Sequence, residues 1–318
     1  MKLLFYPPSL ARLLCAVIIS LLGTGISNAQ QIVAGPIVGG VTESQARISL
    51  RTNNPASITI EISTDSNFTN PASFSGSTTA AGFRSTTLDL NGLQADTRYY
   101  YRFQVNGNLD TLTGKFRTFP PAGQAGNYRV VVGSCNYHNF YAGGGATSPD
   151  NYYNDILFGS IETFDPYVVL HLGDWNYPPS AFGANYNLTD SLRAESFAFR
   201  YQDYNFRRYL MPNMAVDYIY DDDFSQNGTA GWTYPTVTVN NGVYTLNDVP
   251  LNPGIREGAI QGYFDYFPAY PQIDTSGIHH SFKLGNIEFF ILDTRNSKDP
   301  IHEIFDFNSL LNIYTLNF

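Results

Sequence analysis

The chain has almost no cysteine. Its 318 residues include only Cys15 and Cys135, and Cys15 lies in an amino-terminal segment that we expect to be removed. The mature chain would then keep one thiol, which excludes an intrachain disulfide. An unpaired cysteine in an exported protein is either a buried small side chain or a metal ligand. Because Cys135 follows an apolar run and the pair Gly133-Ser134, we favour the metal ligand.

Positive charge is also scarce. Lys and Arg number 18 against 27 Asp and Glu, so the net charge is −9. Nucleic-acid binding draws on clustered Lys and Arg, and the sequence has no such cluster. We therefore expect no nucleic-acid-binding surface.

No apolar run is predicted to span a membrane in the mature chain. Residues 1–29 have the pattern of a secretory signal peptide, with Lys2 and Arg12 as its charged start. Its apolar centre, Leu13 to Leu22, is too short to cross a bilayer, and Ser27-Asn28-Ala29 is a small-residue cleavage site. We expect cleavage after Ala29, a secreted or periplasmic location, and a monomer.

The first half of the mature chain alternates apolar and polar residues. Segments such as Ile58–Ile62 and Tyr99–Val105 predict half-buried strands, and several of them between residues 33 and 119 predict a β-sandwich. Within it, Leu93 to Tyr101 resembles the tyrosine-corner segment of fibronectin type III domains, in which the corner tyrosine bonds back to the preceding loop. Here Tyr99 would be the corner residue.

The pattern changes after a linker predicted at residues 120–127. Apolar and aromatic residues at helical spacing in 188–210 predict one helix or a broken pair, 237–245 predicts a hairpin with an Asn-Gly turn, and Phe282 to Leu292 predicts a strand. We therefore expect an α+β protein of two domains, the second at residues 128–318.

Two apolar runs end in residues that can bind metals. Tyr128–Val132 leads into Cys135, and Tyr167–Leu172 leads into Gly173, Asp174 and then Tyr177. Ligands collect where the strands of α/β sheets end, and these three side chains suit a hard or borderline cation. The alternative is that Gly173-Asp174 is a turn with a solvated carboxylate.

Four ordered motifs together resemble the PhoD-like alkaline phosphatases, a branch of the calcineurin-like metallophosphoesterase superfamily. The motifs are Gly133-Ser134-Cys135, Leu172–Tyr177, Tyr220–Phe224 and Leu292–Arg295. The resemblance implies a fibronectin type III-like domain followed by a four-layer α/β/β/α metallophosphoesterase domain.

The resemblance also implies a site for hydrolysing small phosphate esters. It implies Fe³⁺ and calcium held by Cys135, Asp174, Tyr177 and Asn227, with Asp174 and Asn227 catalytic. Two cations about 3.5–4 Å apart would be needed, and Asp174 is the candidate to bridge them. Four further residues are candidates near the substrate or behind the ligands: His138, Asp221, Asp222 and Arg295.

Two features depart from the family pattern. Asp221-Asp222-Asp223 lacks the histidine of the usual Asp-Asp-His, and nothing after Pro300 resembles the later Gly-Asp-x-His segment. We therefore expect a carboxy-terminally truncated and incomplete second domain. The alternatives to a working phosphatase are an impaired, truncated relic and a surface binding module.

The remaining candidates are less specific. Asp293 follows a predicted strand but belongs to an Asp-Thr-Arg motif, which makes it a weak candidate for metal binding. His171 alternates with leucines and is predicted to be a buried support of the sheet. His279 and His280 precede a strand, and the sequence leaves open whether they are exposed.

The sandwich prediction has a direct test. Residues Ile37 to Phe119 expressed alone should unfold cooperatively, because their alternating strands and the Tyr99 corner need no partner from the second domain. Circular dichroism during thermal unfolding is the measurement. A random-coil spectrum would contradict the boundary.

Overall fold

The computed structural model describes residues 30–134, 152–173, 175, 189–220, 236–240, 243–247 and 253–293. The chain divides into two units, residues 1–30 and 31–318. All described residues except Gln30 belong to the second unit. The predicted signal peptide lies outside them.

Strands dominate the described residues. The strands are β1 (Ile32–Gly39), β2 (Gln45–Thr52), β3 (Ala56–Ser63), β4 (Ala72–Thr78), β5 (Ser85–Asn91), β6 (Arg98–Val105), β7 (Asn108–Arg117), β8 (Val130–Gly133), β9 (Val168–His171), β10 (Ala215–Tyr218), β11 (Thr236–Asn240), β12 (Val243–Asn247), β13 (His280–Leu284) and β14 (Ile287–Ile291). The helices are α1 (Tyr152–Phe164), α2 (Asp190–Arg200), α3 (Tyr204–Tyr209) and α4 (Pro253–Tyr266). Within the described ranges, no helix has the length and apolar character needed to cross a membrane.

The first seven strands form the predicted β-sandwich. One sheet has the order β4-β3-β6-β7, and β5, β2 and β1 lie side by side in the other. The alternation in the sequence explains the arrangement, since every second residue of β6 is buried and successive side chains point to opposite faces. Ile60 and Phe103 from one sheet and Ile48 from the other belong to the same buried core.

The tyrosine corner is present. The hydroxyl of Tyr99 accepts a hydrogen bond from the backbone N–H of Gln94 at 2.9 Å, and its ring stacks on Phe116 with centroids 5.6 Å apart. This bond fixes the loop before β6 against the strand, as the resemblance to fibronectin type III domains predicts.

The second sheet of the sandwich does not stop at β1. Its full order is β5-β2-β1-β10-β9-β8, and β1 pairs in parallel with β10 through Val38 and Ala215. Strands β10, β9 and β8 are parallel to one another. The sheet thus continues across the predicted linker at 120–127, and the proposed division into two domains stays a prediction.

The six-stranded sheet separates two buried cores. On one face Val168 and Ala215 pack with the sandwich interior and with Phe282 of β13. On the other face Val169 and Val216 pack with the helices. Both faces of the central strands are therefore buried, which explains why β9 and β10 are nearly continuous apolar runs.

The helices cover the second face through aromatic side chains. Phe158 of α1, Phe197 of α2, Phe206 of α3 and Tyr263 of α4 all belong to one buried cluster. Helix α2 begins at a capping residue, because the Thr189 hydroxyl accepts from the N–H of Leu192 at 3.4 Å. Asp203 caps α3 in the same way.

Charged side chains tie the sandwich to the turn between α1 and β9. Arg98 of β6 donates two hydrogen bonds to the carboxylate of Asp165, at 2.6 and 2.8 Å. Arg129 donates to the Asp165 carbonyl, and Lys115 of β7 pairs with Glu162 at 3.2 Å. These contacts lie at the amino-terminal end of β9, away from the strand ends that carry the predicted ligands.

The structure corrects one predicted element and adds two. Phe282–Leu292 is not a single strand but part of a hairpin, β13 and β14, which turns at Gly285 with φ +59°. The helices α1 and α4 were not predicted. Glycines weaken the helical pattern of α4, and Gly262 lets the side chain of Arg193 in α2 pack closely, since a Cβ would lie 2.9 Å from its Cδ. The pair α2–α3 and the hairpin β11–β12 are confirmed.

The tyrosine corner generates a stability prediction. Replacing Tyr99 with Phe removes the hydroxyl that satisfies the Gln94 N–H and should lower the free energy of unfolding by about 1 kcal/mol. Chemical denaturation measures the loss. Tyr100→Phe is the matched control, since Tyr100 lies on the opposite face of β6 and is only half-buried. Equal losses in the two variants would contradict a role for the corner.

Candidate active site at a strand edge

Three parallel strands end side by side at one edge of the six-stranded sheet. Gly133 of β8, His171 of β9 and Tyr218 of β10 are in register. The pairing continues by one residue, because the N–H of Leu172 donates to the Gly133 carbonyl at 2.8 Å and that of Ile219 to the His171 carbonyl at 3.0 Å. The carboxyl ends of the three neighbouring strands are therefore aligned to within a few residues.

The predicted ligands follow these strand ends in the sequence. Cys135 comes two residues after β8 ends, Asp174 three after β9 and Asp221 three after β10. All the predicted site residues lie outside the described part of the chain: Cys135, His138, Asp174, Tyr177, Asp221, Asp222, Asn227 and Arg295. Their placement at the site stays a prediction.

The glycine before Asp174 has a structural reason. Gly173 is buried and has a φ of +104°, a conformation that residues with a Cβ rarely adopt. It turns the chain sharply at the end of β9. The turn begins two residues after β9 ends.

Trp175 anchors the loop after β9. It is 1% exposed and lies against Phe206 and Tyr218, with ring centroids 4.9 and 5.0 Å away. The ring of His171 is 5.6 Å from it. His171 is itself 4% exposed, which confirms the prediction that it is a buried residue of the sheet.

A tyrosine of α4 holds the end of β10. The hydroxyl of Tyr263 donates to the backbone carbonyl of Tyr218 at 2.8 Å. Burial raises the pKa of Tyr263 well above its ordinary value, so this hydroxyl remains a donor. Tyr220, the last described residue before the acidic motif, packs edge-on against the same ring at 6.0 Å.

An ionisable pair lies on the opposite face of β10. Asp217 and His280 are 4% and 6% exposed, and the Nε2 of His280 lies 3.1 and 3.2 Å from the two carboxylate oxygens. Its Nδ1 lies 2.8 Å from the carbonyl of Ile278. Both ring nitrogens face oxygen acceptors, and a doubly protonated ring can donate a hydrogen bond from each of them.

The sequence contains only a partial signal for this pair. It leaves open whether His280 is exposed; the structure shows that His280 is buried, whereas the side chain of its neighbour His279 is 31% exposed. Asp217 was not singled out. The sequence feature that could have identified Asp217 is a carboxylate inside the apolar run Met214–Tyr218, where a charge needs a partner.

Asp293 has a backbone role. It is 6% exposed, and its Oδ2 accepts from the N–H of Ile278 at 2.8 Å. A Cβ on Gly277 would lie 2.5 Å from that oxygen, so the glycine makes the close approach possible. This contact supports a structural function for Asp293, which is a weak candidate for metal binding on the sequence alone.

No set of three or more His, Cys, Asp or Glu side chains within the described ranges is arranged to hold a metal ion. The donor types that fit a metal occur in the sequence after β8, β9 and β10 end: a thiol, a phenol, carboxylates and an amide. The chemistry of that set fits one polarisable and one harder cation.

Comparison with known proteins supports the fold. Residues 27–120 match the family described as the PhoD-like phosphatase N-terminal domain. The structure described as PhoD superposes with a TM-score of 0.60 at 18% identity, covering 85% of this chain and 53% of that one. No curated protein matches the sequence.

A second solved structure shares the fold. It is the purple acid phosphatase PPD1 from yellow lupin (Lupinus luteus) seeds, with a TM-score of 0.53, 16% identity, and coverage of 83% of this chain and 46% of that one. The chain thus spans about half the length of the two structures. The resemblance to PhoD-like phosphatases and the α+β fold are confirmed.

The Asp217–His280 pair generates a pH prediction. Burial alone would lower the pKa of His280, but the hydrogen bond and charge of Asp217 together with the Ile278 carbonyl outweigh it, and the pKa is raised. A raised pKa in the folded state stabilises the protein below the unfolded value of about 6.5. This contribution is lost as the pH rises through the folded pKa.

The measurement is the free energy of unfolding between pH 5 and 9. The variant Asp217→Asn removes the charge beside His280 but leaves His280 buried. The decrease of its free energy of unfolding with rising pH should therefore flatten or reverse relative to wild type. Asp274→Asn is the matched control, because Asp274 pairs with the more exposed His279 at 3.3 Å. An unchanged profile in Asp217→Asn would show that Asp217 does not raise the pKa of His280.

Proposed function

We propose that the protein is a metal-dependent phosphoric ester hydrolase of the alkaline phosphatase D type. The observation that carries the proposal is the register of Gly133, His171 and Tyr218, at the ends of three parallel strands. Parallel strands collect ligands beyond their carboxyl ends. The sequence places Cys135 and Asp174 directly after two of these ends.

The proposed ligands divide by chemistry. Cys135 and Tyr177 are anionic, polarisable donors and suit a ferric ion, whereas the amide oxygen of Asn227 suits calcium. Asp174 has two carboxylate oxygens and would contact both cations. When bound, the cations would supply Lewis-acid stabilisation of the phosphate and a nucleophile at neutral pH.

The chain's own side chains would orient the ester. Arg295 offers a planar guanidinium that can bind two phosphate oxygens. His138 is three residues after Cys135 in the sequence, close enough to contact the same substrate. Asp221 and Asp222 would support the ligands or the leaving group. Asp174 and Asn227 are the proposed catalytic residues.

The net charge of −9 is compatible with anionic substrates. The substrate phosphate would meet the cations and Arg295 before it meets the acidic surface. We propose small phosphate esters as substrates and a secreted or periplasmic location. A monomer suffices, since every proposed ligand comes from one chain.

Metal content and turnover test the proposal together. The purified protein, supplied with iron and calcium, should contain iron, absorb visible light through a tyrosinate–iron transition, and hydrolyse 4-nitrophenyl phosphate. Asp174→Asn should lower turnover on the order of 10³-fold, because loss of cation stabilisation costs several kcal/mol and about 1.4 kcal/mol is tenfold in rate.

Two further variants separate the metal role from folding. Cys135→Ala should lower the iron content, and Tyr177→Phe should remove the visible absorption, while both keep the circular dichroism of wild type. Tyr100→Phe is the control for Tyr177→Phe. A protein that takes up no iron and has no turnover under these conditions would refute the proposal.

A further inference from the structure

A chain of hydrogen bonds links the ends of two strands that lead toward the proposed site. The carboxylate of Asp293 accepts from the N–H of Ile278 at 2.8 Å. The carbonyl of the same Ile278 lies 2.8 Å from Nδ1 of His280, whose Nε2 lies 3.1 Å from Asp217. All four residues are less than 9% exposed.

We call the hydrogen-bonded set Asp217, His280, Ile278 and Asp293 the relay. Its two ends lie close to predicted site segments along the sequence. Asp217 is part of β10, which leads into Asp221 and Asp222. Asp293 follows β14 and stands two residues before Arg295. The relay therefore connects the strand that precedes the acidic motif with the strand that precedes the proposed phosphate-binding arginine.

The surroundings argue that the relay specifies geometry more than it adds stability. The ring of His280 stacks on Tyr270 with centroids 5.2 Å apart, and Tyr270 in turn stacks on Phe282 at 5.0 Å. An ion pair in such an apolar environment is often no more stabilising than apolar side chains of similar volume. What apolar side chains cannot supply is a directional link between two carboxylates and a backbone peptide.

We propose that His280 is a positioning residue for the proposed phosphatase site, which fixes the end of β10 relative to the end of β14 through Asp217 and Ile278. The inference rests on the proposed function. Residues that orient the ligands of a metal site from behind change metal affinity or activity by roughly 10- to 100-fold when they are removed.

The experiment compares three variants of the full chain with wild type. The double variant Asp217→Val/His280→Phe replaces the pair with apolar side chains and keeps the space filled. Asp217→Asn keeps an acceptor for the Nε2–H of His280. Tyr101→Phe is the matched control, because it removes a buried hydrogen bond of 2.8 Å between the sandwich and the Pro212 carbonyl, which is not part of the relay.

Two readouts are measured. With 4-nitrophenyl phosphate, iron and calcium, the double variant should lose roughly tenfold or more in kcat with a smaller change in KM, whereas Asp217→Asn and Tyr101→Phe should stay within a few-fold of wild type. In hydrogen–deuterium exchange, the backbone amides of Ile278 and of β10 should exchange faster in the double variant alone. His280→Gln replaces the double variant if that variant does not fold.

The outcomes distinguish the two proposals. A folded double variant with wild-type kcat, or with wild-type exchange at Ile278 and β10, overturns the positioning role. If wild type itself has no turnover, the proposed function fails, and the exchange readout decides whether His280 holds the two strand ends together.

Discussion

The parallel pairing of β1 with β10 is the constraint on which the rest of the structure depends. It joins the sandwich to the strands β10, β9 and β8, so that one sheet has a sandwich at one side and the candidate active site at the other. The strand ends at Gly133, His171 and Tyr218 are held in line because their strands belong to this sheet. The sandwich thus supplies the strand, β1, beside which β10 is placed.

Tyrosine hydroxyls connect elements that disulfides cannot, since at most one cysteine is expected in the mature chain. Tyr101 donates to Pro212, Tyr201 to Tyr266, Tyr263 to Tyr218 and Tyr270 to Val41, each through a backbone carbonyl at 2.7 to 2.8 Å. Burial raises the pKa of all four hydroxyls, so they keep their protons. Part of the high aromatic content of the sequence is explained by these contacts, which combine ring packing with a directional bond.

Local pattern predicted much of the fold, and long-range pairing could not be predicted. Tyr99 and the alternation of β6 indicated the sandwich because both signals lie within a few residues. The glycine before Asp174 correctly marked a strand end. By contrast, nothing local links Val38 with Ala215, the glycines of α4 obscured a helix, and the need of Asp217 for His280 appears only when two distant segments meet. The predicted ligands themselves stay predictions.

The position of β1 also has a consequence for the order in which the protein can fold. Strands β1, β2 and β5 can pair as soon as residues 31–119 have been synthesised, but the other edge of β1 finds its partner only when Ala215 has emerged. Until then that edge presents unpaired backbone groups, which can pair with another chain. Contacts this distant in sequence form slowly. Aggregation during synthesis would therefore begin at β1, and slowing translation before β10 should increase it.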